Sequence, residues 1–347
     1  MRQSLMTQGV SAMLAVATAI LAAAAARADF RLGPAQVVQA SGAAIDVGTY
    51  SVPCFGDWNA DGVPDLVIGR GDGRVSVYPN TGTAGAPAFT TATSFLATAG
   101  GPTLDVGSSG CMGSFPRLVD WDDDSDLDLL VGDTYGKVRV CVNQGPPTSP
   151  HFAYPTYVEV GLPGSKDEID VGYRAAVCPA DWNGDGRGDL VIGDLGGAVH
   201  VLLNEGTAAA PDFRAAAVLQ DAVAGTDLEV PDGRSSPTMA DLDGDGLADL
   251  LVGNTEGELL LYVNVGTAGT PAFSDYVFVE SDGAVVDLSG DARSRPFLCD
   301  WTGDGLQDVL VGAADGVVYL YEGVPEPATL ALVALGGMAV LARRRRA

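Results

Sequence analysis

Histidine is nearly absent, with two residues in a chain of 347. That scarcity argues against a histidine-rich metal centre and leaves little for a histidine-based catalytic network. His151 and His200 stand in different registers of the chain and form no evident pair. Bases are scarce as well, with 19 Lys and Arg against 45 Asp and Glu and a formal net charge of −26. Nucleic-acid binding needs basic surface to neutralise phosphates, so that class of function is excluded. No Gly-x-Ser-x-Gly elbow, His-Glu-x-x-His helix or P-loop occurs. Five cysteines are too few for a disulfide scaffold, and their odd number leaves at least one thiol unpaired or intermolecular.

What is present is apolar and rich in turns. Hydrophobic residues make up 47% of the chain, enough for a sizeable core, and 46 Gly with 20 Pro punctuate it densely. Both ends differ from the body. Residues 1–28 carry Arg2, a long Ala/Leu-rich run and an Ala26-Arg27-Ala28 ending, the pattern of a secretory signal peptide cleaved after Ala28. Residues 324–347 read Val324-Pro325-Glu326-Pro327, then an apolar stretch from Ala328 to Ala342, then Arg343 to Arg346. As a helix that stretch is ~22 Å long, short for a hydrocarbon core of ~30 Å, and the arginines would stay cytoplasmic. Removing both ends takes away one acid and six arginines. The body, 29–323, then carries about −31, counting 44 acids and 13 bases, and repels itself unless cations are bound.

The body repeats itself. An acidic nine-residue phrase followed by an apolar run and Gly begins at Asp57, Asp120, Asp181, Asp241 and Asp300, with spacings of 63, 61, 60 and 59 residues. A short segment such as Ile45-Asp-Val-Gly precedes it and reads as a strand, followed by a stretch often holding Pro. A second apolar run follows it, closing at Asn80, Asn143, Asn204 or Asn264, and Pro-x-Phe then opens a further strand. Four β runs per unit and no helical period predict an all-β, five-bladed propeller of four-stranded blades. The fifth unit lacks its outer strand, and Phe30-Arg-Leu supplies an orphan match, so the N-terminal strand is expected to complete the last blade and close the ring.

The acidic phrases present side-chain oxygens at positions 1, 3, 5 and 9. These are Asp57, Asn59, Asp61 and Asp65; Asp120, Asp122, Asp124 and Asp128; Asp181, Asn183, Asp185 and Asp189; Asp241, Asp243, Asp245 and Asp249; and Asp300, Thr302, Asp304 and Asp308. Alternate oxygens on a curled loop converge on one point, and a late carboxylate closes the shell, the logic of a hard-cation site. Oxygen-only donors favour Ca²⁺ over zinc or copper. Solvated acidic turns would share the composition, but five copies in one spacing favour cation loops. Loops 120–128 and 241–249 offer four carboxylates, the two asparagine-bearing loops three, and Thr302 weakens the fifth. Ser125 stands where Gly is usual at position 6, at a cost of ~1 kcal/mol if its backbone is left-handed.

These features together resemble the FG-GAP/VCBS-type repeat family, related to the calcium-bearing blades of integrin α-chain propellers. The resemblance implies up to five Ca²⁺, with the carbonyls of Val63, Asp126, Arg187, Leu247 and Leu306 at position 7 completing the shells. Five ions would bring the body to about −21. The C-terminal tail resembles the PEP-CTERM sorting signal of Gram-negative bacteria, which implies processing by a membrane-embedded exosortase during export. It also implies a destination at the cell surface or in the extracellular matrix, with membrane contact only through the tail.

Tryptophan occupies position 2 of four loops (Trp58, Trp121, Trp182 and Trp301) and Leu242 the fifth; a packing wedge between blades explains that fixed position better than sugar stacking. Cys54 and Cys178 share a register in different blades and are not expected to pair. The reading favours a non-catalytic binding or scaffold protein, with exopolysaccharide or another surface protein as the partner the resemblance suggests. A propeller enzyme acting on polysaccharide and a purely structural matrix component are the alternatives.

Overall fold

The computed structural model describes residues 30–95, 103–107, 113–288 and 293–325. The segments assigned above to the signal peptide and nearly all of the sorting tail, and Cys111, lie outside them. Every regular element among the described residues is a β-strand, and none is a helix able to cross a membrane.

Five four-stranded antiparallel sheets form the body. Blade 1 holds Val52–Gly56, Asp65–Gly69, Val75–Tyr78 and Thr93–Ser94. Blade 2 holds Phe115–Val119, Asp128–Gly132, Val138–Cys141 and Thr156–Tyr157. Blade 3 holds Ala176–Ala180, Asp189–Gly193, Val199–Leu202 and Ala217–Val218. Blade 4 holds Ser236–Ala240, Asp249–Gly253, Leu259–Tyr262 and Val277–Phe278. Blade 5 holds Arg295–Cys299, Asp308–Gly312 and Val318–Tyr321, and takes Gln36–Val37 from the N-terminus. Each inner strand touches those of the blades before and after it, and the fifth touches the first, so the ring is closed.

The second strand of each blade is buried at every residue, because neighbouring blades cover both its faces. A continuous apolar run suits such a strand. The inner strand departs from the sequence reading. Ile45-Asp46-Val47 is not a strand but makes a single bridge from Asp46 to Val317. The Pro-bearing stretch after it is the inner strand instead. Pro53, Pro116, Pro179, Pro237 and Pro296 all lie within strands that have one edge free, facing the axis, where a missing N–H costs no ladder bond.

The N-terminal segment closes the ring, with Gln36 opposite Leu320 and Val37 opposite Tyr319. Its register, which the sequence left open, is set by Leu32. In blades 1 to 3 the Phe of Pro-x-Phe bridges the preceding Asn, as Phe89 does with Asn80, and the paired outer strand follows four residues later. In blade 5 Leu32, not Phe30, bridges Gly323 in that position. Short hairpins, unread in the sequence, follow three outer strands: Gln39–Ala40 with Ala43–Ala44, Glu159–Leu162 with Ser165–Glu168, and Glu280–Ser281 with Ala284–Val285. Each donates an amide to the carbonyl of the bridging Phe or Leu of the next blade, from Ser41 to Phe89, Gly161 to Phe213 and Asp282 to Leu32, at 3.0–3.1 Å.

The glycine ending each second strand is required by close approach. Its φ is ordinary, but a Cβ on Gly69, Gly132, Gly193, Gly253 or Gly312 would collide with the carbonyl oxygen of Ser114, Ala175, Ser235, Ser294 or Ser51 in the next blade. The serines staple the same seams. Ser51 Oγ donates to Val317 O at 2.6 Å and accepts from Ala313 N at 3.0 Å, and Ser114, Ser235 and Ser294 repeat the pattern.

Candidate cation loops

Each acidic phrase links the inner strand to the second strand of its blade. Antiparallel alternation sets all five of these loops on one end of the wheel, and the connections between blades on the other.

Backbone amides curl each loop around its own carboxylates. The position-1 groups Asp57, Asp120, Asp181 and Asp300 accept the amides of positions 5 and 6 at 2.9–3.1 Å. Asp241 takes the amides of Gly244 and Gly246 at 2.7 and 2.9 Å. Asn59, Asn183 and Asp243 at position 3 accept the amide of position 5 at 2.9–3.0 Å. The position-5 groups Asp61, Asp124, Asp185, Asp245 and Asp304 accept the amides of Val63, Asp126, Arg187, Leu247 and Leu306 at 2.8–3.0 Å. The curl needs left-handed residues at position 6, as at Gly62 and Ser125 (φ 91° and 74°), and also at position 4, where Ala60 and Asp123 adopt φ of 51° and 60°. The second requirement was not legible in the sequence.

The position-9 aspartates, Asp65, Asp128, Asp189, Asp249 and Asp308, are fully buried. One oxygen of each accepts an amide from the end of the third strand, from Asn80, Asn143, Asn204, Asn264 and Gly323, at 2.6–2.8 Å. The other accepts the amide of position 2, from Trp121, Trp182, Leu242 and Trp301, at 2.8–3.0 Å. In the first loop Asp65 Oδ2 is buried with no hydrogen bond. Burial, and then the other carboxylates of the loop, push Asp65, Asp128 and Asp249 up to about 6 and raise Asp189 and Asp308. Burial and the neighbouring aspartates also raise Asp122 and Asp243.

Position 2 joins each loop to the next blade. Trp58 stacks on Phe152 with centroids 4.8 Å apart, Trp121 lies 6.1 Å from Phe213, Trp182 5.8 Å from Phe273, and Trp301 5.6 Å from Phe89. Leu242 shares a core cluster with Leu32 at the remaining seam. The carboxylate that closes a loop thus also holds the residue that wedges two blades.

The loops are not equal. Carboxylate oxygens of Asp120, Asp122 and Asp124, and of Asp241, Asp243 and Asp249, converge within 4.8 Å of one another. These are the two loops richest in carboxylate. In the third loop the Arg187 guanidinium lies 2.5 Å from the Asp185 carboxylate, and its Nε donates to Asn204 O at 2.7 Å. The sequence reading counted only the Arg187 carbonyl. It likewise counted only the carbonyl of Asp126, whose side chain is buried, with a carboxyl raised to about 6 by burial and by Asp124. Cys54, Cys141, Cys178 and Cys299 are free thiols.

Comparison with known proteins agrees with the repeat and tail readings. The FG-GAP-like repeat matches residues 120–192 and again 181–252, and the PEP-CTERM protein-sorting motif matches residues 323–346. The chain carries FG-GAP repeats and a PEP-CTERM motif. Integrin alpha-4 of Xenopus laevis is 31% identical over 163 residues, covering 43% of this chain and 15% of its own. Integrin alpha-7 of Homo sapiens is 30% identical over 181 residues, 48% of this chain and 14% of its own. The FG-GAP propeller therefore spans about one seventh of the curated relatives it matches. Among solved structures, the alpha-L-arabinofuranosidase PaAbf62A from Podospora anserina aligns over 86% of this chain and 97% of its own, at 10% identity and a TM-score of 0.49. A likeness that distant says nothing about chemistry. The sorting motif marks an exported, surface-associated protein of Gram-negative bacteria and implies processing by an exosortase-type system.

Proposed function

We propose that this FG-GAP propeller is a calcium-braced, non-catalytic binding or scaffold protein of the bacterial surface or extracellular matrix, with exopolysaccharide or another surface protein as its partner. The observation that carries the calcium reading is the state of the loop oxygens. Asp65 Oδ2, Asp122 Oδ1 and Thr302 Oγ1 are buried with no hydrogen bond, each within an all-oxygen donor set. Buried acceptors normally find a partner, and crowded carboxylates call for a cation. The side chains at positions 1, 3, 5 and 9 of the five loops would hold it, with the carbonyls of position 7. Calcium supplies charge neutralisation there, and the chain's own contribution is the wedge at position 2, which passes the order of a filled loop to the next blade.

The scaffold reading follows from what the chemistry-bearing residues are already doing. The clustered carboxylates curl loops and the two histidines lie in different blades, with His200 engaged by Asp194 at 3.0 Å. The test is calorimetric titration of Ca²⁺ into chelator-stripped protein, with melting followed in parallel, and a pull-down of the host's own polysaccharide. Saturable calcium uptake with a higher melting temperature, and retention of the polysaccharide intact, are the expected results. An unchanged melting transition would sink the calcium brace, and release of reducing ends would sink the non-catalytic reading.

A further inference from the structure

Four of the 13 bases of this acidic wheel, Arg174, Arg234, Arg293 and Arg295, lie at one mouth of its axis. The residue two positions before each inner strand is left-handed: Tyr50, Gly113, Arg174, Arg234 and Arg293, with φ of 53°, 71°, 64°, 58° and 82°. Three are arginines, and Arg295 opens the fifth inner strand. They lie at the end opposite the cation loops, where chain passes from blade to blade. The Arg174 guanidinium sits 4.8 Å from the centroid of Phe115, and Arg295 sits 5.9 Å from the same ring and 5.2 Å from Tyr50. Arg293 covers the Tyr50 ring at 5.1 Å and donates to its hydroxyl. Blades 2 and 5 are not neighbours, so Arg295 reaches Phe115 across the axis. The result is a ladder of alternating cations and aromatic rings.

Arg174 is only 1% exposed. It donates to Ser235 O at 2.6 Å and Ser236 Oγ at 2.5 Å, and its Nε is buried with no hydrogen bond. The acid whose charge acts on it, Asp194, is already engaged with His200. A guanidinium does not shed its proton in a protein, so a buried one facing other arginines favours a nearby anion. Around it Arg234 and Arg293 are half-buried. Tyr173, adjacent to Arg174, is 58% exposed, and Tyr135, on a loop at the same end, is 48% exposed. Guanidinium forks fit carboxylates in bidentate fashion, and flat exposed phenol rings fit sugar faces.

We infer that this axial mouth binds the carboxylate groups of an acidic, uronate-containing polysaccharide. The inference deepens the proposed scaffold role and rests on it. Repulsion from the acidic body is screened beyond a Debye length of ~8 Å, so contacts at the mouth decide.

The test uses the calcium-loaded chain and calorimetry with three probes: an oligogalacturonate, a neutral oligoglucan of the same length, and free acetate. The oligogalacturonate is expected to bind, the oligoglucan to bind at least about tenfold more weakly, and Arg234→Gln and Arg293→Gln each to lose about tenfold in affinity while still unfolding in one cooperative transition. Tyr173→Ala, at an exposed position, should weaken the oligogalacturonate and leave acetate unaffected. Equal binding of the two glycans, or unchanged affinity in all three variants, overturns the inference. Competition by acetate at the same concentration as the oligogalacturonate overturns its sugar component. Host polysaccharide retained equally by wild type and all three variants defeats this site while leaving the scaffold role standing. No retention by the wild type defeats the scaffold role itself.

Discussion

Gly312, the last residue of the second strand in blade 5, lies directly against the carbonyl oxygen of Ser51 at the start of blade 1. This is the seam at which the ring closes, and a methyl group at Gly312 would strike that oxygen. Gly312→Ala should therefore destabilise the protein by ~1–3 kcal/mol through overpacking, seen as a lower melting temperature. Gly188→Ala is the control. Its Cβ meets nothing within 4 Å and its φ is ordinary, so it should be neutral or stabilise by ~0.4–1 kcal/mol. Equal melting of Gly312→Ala and wild type would mean that the blades do not meet as described.

Arg187 should weaken the third cation loop. Its guanidinium neutralises Asp185, a carboxylate the loop would otherwise offer to a cation. Arg187→Gln removes that competitor, and calcium affinity at this loop should rise by roughly tenfold, the scale of one charge-assisted contact. Calorimetric titration of the variant should show one weak class of site moving toward the stronger ones. A titration that superimposes on wild type would sink the idea that Arg187 competes with metal.

What could be read in the sequence was what the chain decides locally. Each cation loop is built from bonds within nine consecutive residues, so Asp181, Asn183 and Asp185 announce themselves by spacing alone. The buried second strands are equally plain as apolar runs. The inner strands were hidden because proline reads as a break, and only the closed ring shows that the edge carrying Pro53 or Pro237 faces the axis and needs no amide. The outer strands are two residues long, too short for any period, so the match at Phe30-Arg-Leu could not say which residue makes the bridge, and it is Leu32. The axial arginines were invisible for a further reason. Arg174 and Arg295 are far apart in sequence and look like solvated charges until ring closure brings both to Phe115.

Ser125 occupies position 6 of the second loop with φ of 74°, where all four other loops, at 62, 186, 246 and 305, have glycine between 82° and 91°. A side chain in that region costs ~1 kcal/mol, so Ser125→Gly should raise stability by about that amount. The gain should be visible as a higher midpoint in urea with an unchanged slope. Because its amide donates to Asp120 Oδ2 at 3.0 Å in either case, calcium affinity should stay constant or improve. A lower midpoint would show that the serine side chain makes an interaction more valuable than the strain it causes.

Stability should depend on pH with opposite signs in the metal-free and calcium-loaded protein. Asp65, Asp128 and Asp249 titrate at about 6 in the folded, metal-free state, above the ordinary value of 3.8. A raised folded value means that the native state holds protons the unfolded chain has released. The associated stability is present in full below the unfolded value and is lost as pH rises through about 6. In chelator the protein should accordingly melt higher at about pH 5 than at about pH 7.5, by roughly 5 °C. Calcium reverses the dependence, because it binds the ionised carboxylates and must displace those protons. With Ca²⁺ in excess the melting temperature should rise across the same interval, and calcium binding at the lower pH should release protons measurable in buffers of different ionisation enthalpy. If both forms gain stability as pH rises, the buried aspartates are ionised before metal arrives, and the loops are not electrostatically strained in its absence.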